Sequence, residues 1–97
     1  MLFITLMNFT DLGVRNIKDT VGRAKSFREM AYSKFGVEVR DVLWTFGDYD
    51  VMAITDAPDE ETATALALAL NSLGNVKAQT LRAFNAKEMS GILAKMS

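Results

Sequence analysis

An α+β fold, with one antiparallel sheet and helices packed on a single face of it, is what this sequence predicts. Three observations carry the expectation. Short apolar stretches rich in Val, Ile, Phe and Thr are interspersed with longer segments whose apolar residues recur every three or four positions. A Gly-Asp pair separates two of the short stretches by too few residues for any connection but a hairpin. Helix-stopping chemistry, Gly36 and Gly74-Asn75, follows the two longest periodic segments.

Leu2 to Phe9 is apolar and ends at Asn8 and the turn-forming Thr10-Asp11-Leu12-Gly13, so it reads as a buried first strand. Val14 to Phe35 follows with Val14, Ile17, Val21, Ala24, Phe27, Ala31 and Phe35 at helical spacing. Asp19-Thr20 and Gly22 divide this segment into a short turn and a main helix, with Asp19 or Thr20 as N-cap. Its basic residues, Arg28 among them, fall mostly off the stripe and are expected in solvent. Val37 to Phe46 and Tyr49 to Thr55 are two strands joined through Gly47-Asp48. Pro58-Asp59 opens the next helix, with Asp59 as cap and Glu60 and Glu61 at the positive end of the helix dipole. That helix buries Ala63, Leu66, Leu70 and Leu73. Val76 to Phe84 is the fourth strand. Asn85 to Glu88 resembles a capping box that opens a short last helix, whose stripe is Met89, Ile92, Leu93 and Met96.

The order is β-α-β-β-α-β-α. Its first six elements are the ferredoxin-like βαββαβ arrangement, a four-stranded antiparallel sheet with an extra C-terminal helix added. Right-handed crossovers place the two main helices on one face of the sheet. Residues 1–97 form one domain, long enough for a modest core.

The other sheet face needs a cover. If Val37 and Val39 face the helices, strict alternation sends Val42, Trp44 and Phe46 to the opposite side, and Phe3, Thr5, Met7 and Phe9 can join them. Soluble monomers rarely expose an apolar patch of that size. A homodimer or higher homo-oligomer, packed sheet to sheet, covers it most simply. The last helix folding over the same face is the alternative, but it is too short to cover a whole sheet.

Composition excludes several function classes. The net charge is −1, so no basic surface exists to neutralise a run of phosphates, and no nucleic-acid partner is expected. No polybasic cluster points to a membrane, and no segment approaches spanning length. The chain has no Cys and no His, which removes thiol chemistry and the commonest general base and metal ligand. No cofactor and no metal are expected. A cytoplasmic protein of bacterial type is the default reading.

The residues that could carry chemistry cluster near the hairpin. Asp50 is a carboxylate entering an apolar strand, and it either fixes the turn by binding backbone N–H groups or makes a polar contact at a pocket mouth. Its neighbour depends on the turn: a two-residue loop sets Thr45 beside it, a three-residue loop Phe46. Trp44 and Tyr49 are core or interface residues or ligand clamps. Arg82, in the fourth strand, blunts an edge, makes a salt bridge between subunits or holds an anionic ligand. Thr5 supplies an interior hydroxyl or simply suits a strand. Thr5, Trp44, Tyr49, Asp50 and Arg82 are therefore the candidate ligand-binding residues.

The stretch Trp44-Thr45-Phe46-Gly47-Asp48-Tyr49-Asp50-Val51, with Ala57-Pro58-Asp59, Ser72-Leu73-Gly74-Asn75-Val76 and Thr80-Leu81-Arg82-Ala83-Phe84, resembles the GYD domain family. Thr5 to Thr10 and Arg15 to Lys18 extend the resemblance over nearly the whole chain. It implies a dimeric α/β barrel and supplies no catalytic residues. Gly47-Asp48-Tyr49-Asp50 with Pro58-Asp59 and Gly74-Asn75-Val76 is also similar to the effector-binding domain of Lrp/AsnC regulators. There the corresponding hairpin lies near small-molecule sites between subunits. This chain has no room for the DNA-binding helices of such regulators.

Three functions compete on these grounds. The first is a non-catalytic dimeric module that binds a small molecule or a partner. The second is a cofactor-free enzyme acting on a small aromatic or polyketide-like substrate, monooxygenase- or isomerase-like, with Asp50 as base and Arg82 holding an anion. That reading fails if Asp50 is locked to backbone donors. The third is a purely structural or stress-related interaction protein.

Overall fold

Each apolar stretch and each periodic segment takes its expected place along the chain in the computed structural model, which describes residues Met1–Ser97. Strand β1 is Leu2–Phe9. Helix α1, Asp11–Arg15, and a 3-10 turn, Ile17–Asp19, lead into helix α2, Thr20–Phe35. Strands β2, Glu38–Trp44, and β3, Val51–Asp56, form the hairpin. Helix α3 is Glu60–Ser72, strand β4 Val76–Ala83 and helix α4 Ala86–Ala94. The sheet is antiparallel throughout, in the order β2-β3-β1-β4, with β1 and β3 central.

The helix ends obey the expected chemistry. Asp59 accepts a hydrogen bond from the Thr62 N–H at 2.7 Å. Asn85 and Glu88 close a complete capping box at the start of α4. Gly36 ends α2 in the left-handed region at φ 64°, where a side chain would be strained. Asp19 occupies the N-cap position of α2 but makes no side-chain cap.

The core lies between the sheet and the pair α2 and α3, where Phe27, Ala31, Leu66 and Leu70 meet Phe3, Met7, Val39 and Ala53. This corrects the expected facing of β1. Phe3, Thr5 and Met7 are buried under the helices, and Phe9 packs against the same core. The opposite face carries Ile4, Leu6, Leu43, Met52, Ile54 and Leu81, an aliphatic surface rather than an aromatic one.

Strand β2 departs from strict alternation as well. Val39 pairs with Thr55 and Asp41 with Ile54, so Arg40 is an extra residue, a β-bulge. The bulge resets the parity of the strand. Val39 and Val42 both face the core, and Trp44 follows Val42 to the helix side instead of facing outward. Arg28 of α2 donates to the Val39 carbonyl at 2.7 Å, beside the bulge, rather than standing free in solvent.

Two apolar stripes are less buried than their spacing predicts. Val14, Ile17 and Val21 are exposed, because the break at Asn16 and the 3-10 turn take the first two out of phase with α2. Leu73 lies past the last turn of α3 and is also exposed. Helix α4 does not fold over the free sheet face: Met89, Ile92, Leu93 and Met96 all stay exposed. The molecule is accordingly elongated, 52 Å in its longest dimension. Its radius of gyration is 14.5 Å, against about 12.5 Å for a compact chain of this length.

Candidate functional site

The hairpin is tied to the end of β1 by a set of backbone-directed bonds. Trp44 pairs with Val51, and the Thr45 N–H donates to the Asp50 carbonyl at 2.8 Å. Thr45 and Asp50 are therefore neighbours, the register of a two-residue turn, although regular strand pairing stops at Trp44. The Asp50 carboxylate accepts the Phe9 N–H at 2.8 Å, and the Asp50 N–H donates to the Met7 carbonyl at 2.9 Å. Asn8 donates from Nδ2 to the Asp48 carbonyl at 2.8 Å. The acid that looks anomalous in the sequence thus holds the connection between β3 and β1, where the two strands end.

Tyr49 lies over the free face of the sheet, with its hydroxyl 3.1 Å from Oε1 of Gln79 on β4. Phe46, at the hairpin tip, is wholly exposed. With Leu6 and Met52 these residues line a shallow depression of about 220 Å³ on that face. Trp44 is on the other side, its indole N–H donating to Thr20 Oγ1 at 3.0 Å. It lines a larger cleft of about 850 Å³ between α2, α3 and the sheet.

Thr5 sits buried in the middle of β1 beneath the helices, opposite Thr80, whose buried hydroxyl has no hydrogen-bond partner. Arg82 pairs across the sheet with Phe3, six residues along β1 from the Phe9 N–H that Asp50 binds, or about 20 Å. Its guanidinium stacks over Phe84 at 4.4 Å from the ring centre and donates to the Leu2 and Ala83 carbonyls. It also reaches Glu88 at 3.4 Å, so it fastens the start of α4 to the end of β4. The five candidate residues therefore do not converge. Tyr49 lies on one face of the sheet, Thr5 and Trp44 lie on the other, Asp50 is part of the hairpin, and Arg82 is at the far end.

The shifted carboxylates lie at element ends. Asp56 is held below the ordinary carboxylate range by its hydrogen bond from the Met1 amino group, with Arg40 adding to the effect. Asp59 is lowered by the Thr62 N–H and Glu88 by the Asn85 N–H, with Arg82 contributing at the latter. No three acidic side chains stand close enough together to hold a metal ion. No helix is long and apolar enough to cross a membrane.

Two structural residues carry no signal of their role in the sequence. A Cβ on Gly13 would lie 2.1 Å from the Asn75 carbonyl oxygen, so the turn after β1 and the turn before β4 touch backbone to backbone. Thr10 seals this junction, donating from its backbone to Asn75 and from its hydroxyl to Gly74. The other is Arg28, whose bond to Val39 only the bulge makes available.

Comparison with known proteins gives two findings. The family model described as the GYD domain matches residues 3–93. A protein of Thermus thermophilus, "Glutamine synthetase and cystathionine beta-lyase binding protein", is 33% identical over 81 residues, which cover 84% of this chain and 85% of that protein. No solved structure matches the chain.

Proposed function

The chain belongs to the GYD domain family, and on that footing we propose that it is a non-catalytic interaction module that works as a homodimer and binds another protein. The observation that carries the reading is the free face of the sheet. Ile4, Leu6, Leu43, Met52, Ile54 and Leu81 form a continuous aliphatic surface with no helix over it. Burying side chains of this size is worth roughly 1.5–3 kcal/mol each, and an isologous sheet-to-sheet contact buries two sets at once. The exposed Phe46 and the half-buried Tyr49 of the hairpin stand at the border of that face and offer aromatic anchors of the kind that dominate interfaces.

The Thermus thermophilus relative is described as binding glutamine synthetase and cystathionine β-lyase, and protein binding is the activity we carry over. The enzymatic alternative finds little support in the geometry. Asp50 is committed to the Phe9 N–H, and Arg82 is about 20 Å away, so the pair cannot act on one small substrate.

Sedimentation velocity over a range of protein concentrations tests the dimer. The wild type is expected to sediment as a dimer. Leu43→Asp, a change at an already exposed position, is expected to weaken association on the order of a hundredfold while leaving the far-ultraviolet circular dichroism intact. A wild type that stays monomeric at high concentration would remove the proposed interface. For the partner, purified glutamine synthetase and cystathionine β-lyase from the same organism serve as probes in biolayer interferometry. Saturable binding to either, lost in Phe46→Ala, supports the module reading; no binding to both overturns the carried-over activity.

A further inference from the structure

We propose that the cleft between α2, α3 and the sheet is a binding site for a small carboxylate with an apolar body. It goes beyond the protein-binding reading and does not depend on it, because the cleft is on the helix side of the sheet, away from the face assigned to the dimer.

The fold opens this space for a definite reason. Helix α2 leans on β2 at one edge of the sheet and α3 on β4 at the other, so the floor between them is left to the central strands. Small residues on α2, Gly22 and Ala24, do not fill the gap. The result is an opening of about 850 Å³, within the range of small-molecule pockets. Its floor is Met7, Val51 and Val76, and its walls include Phe27, Met30 and Leu70. A wet cavity with such walls holds poorly bonded water, which an apolar ligand displaces favourably.

The rim identifies the charge of the ligand. Lys18, Arg23 and Lys34 border the cleft, against Asp19 as the one acidic residue there. Lys18, in the 3-10 turn just before α2, and Arg23, in the first turn of α2, both border the cleft near the end of this 16-residue helix that favours negative charge. Arg23 is already steered: its guanidinium donates to the Asn16 carbonyl at 2.6 Å and the Gly13 carbonyl at 3.3 Å, which leaves further N–H donors for a carboxylate.

Trp44 makes the proposal directly testable. It is the sole tryptophan of the chain and it lines the cleft, so its emission reports occupancy. The probes are octanoate and 3-phenylpropanoate, which separate a fatty from an aromatic body, with 1-octanol and octylammonium as neutral and cationic counterparts. At least one carboxylate is expected to change Trp44 emission saturably, with octanol and octylammonium at least about tenfold weaker than octanoate or without effect. Lys18→Gln, at an exposed position, should weaken the carboxylate several-fold and leave octanol unchanged. Ala24→Phe, which fills the space, should abolish binding in a protein whose circular dichroism is native. If Ala24→Phe does not fold, the Lys18→Gln comparison decides alone. Absence of a saturable response to both carboxylates, equal binding of octanol and octanoate, or full carboxylate affinity in Lys18→Gln would overturn the proposal.

Discussion

Asp50 shows how a residue that looks chemical in the sequence can be structural in the fold. Its carboxylate accepts the Phe9 N–H, a donor left over where β1 runs past the end of β3. Asp50→Asn keeps the shape but loses the charge assistance, so it should lower stability by about 1–2 kcal/mol, read as a shift in the urea midpoint with an unchanged slope. Gly13 is the opposite case, a residue that looks incidental and is not. The Asn75 carbonyl that a Cβ would strike belongs to the backbone and is held by Thr10, so it cannot move aside cheaply. Gly13→Ala should cost about 2–3 kcal/mol by the same measurement, whereas Gly91→Ala, with open space around it, should be neutral or stabilising. The carboxylate at position 50 was legible as odd from its apolar neighbours. The contact at Gly13 was not legible, because its partner lies far along the chain.

Elements were the most legible scale. Strand and helix periodicity, caps and turn residues located every strand and the three longer helices to within a few residues, since these signals act between near neighbours; the short helix α1 instead occupies residues whose chemistry reads as a turn. What failed was phase. One extra residue at Arg40 turns Trp44 to the other side of the sheet, and one break at Asn16 puts Val14 and Ile17 out of line with α2. Helix α4 poses an energetic question. Nine residues are too few for a stable isolated helix in water, and its apolar stripe touches little of its own chain. Its capping box and the Arg82–Glu88 pair hold only its first turn. Amide hydrogen exchange should therefore show weak protection in α4 beyond its first turn. Asn85→Ala should reduce that protection several-fold while the β1 and β3 amides are unaffected.

For the molecule as a whole, acid is the lever that the charged groups provide. Asp56, Asp59 and Glu88 all have lowered pKa values in the folded state. Their contribution is fully present above the unfolded carboxylate range, near pH 4, and is lost as the pH falls through the lowered folded values. With no histidine in the chain, stability should stay flat between about pH 7 and about pH 5 and fall below about pH 4, as urea midpoints measured across that range would show. A decline already evident between about pH 7 and about pH 5 would contradict this account. The residues alone determined the βαββαβ order, the antiparallel sheet and the exclusion of thiol and imidazole chemistry, because periodicity, capping and composition are properties of neighbours along the chain, and the family was legible in a set of short motifs. The tertiary structure decided which sheet face is free, that the five candidate residues lie apart and that a cleft opens between the helices. Those outcomes depend on a single bulge and on how two helices rest on opposite edges of a sheet, and neither is encoded in any local pattern.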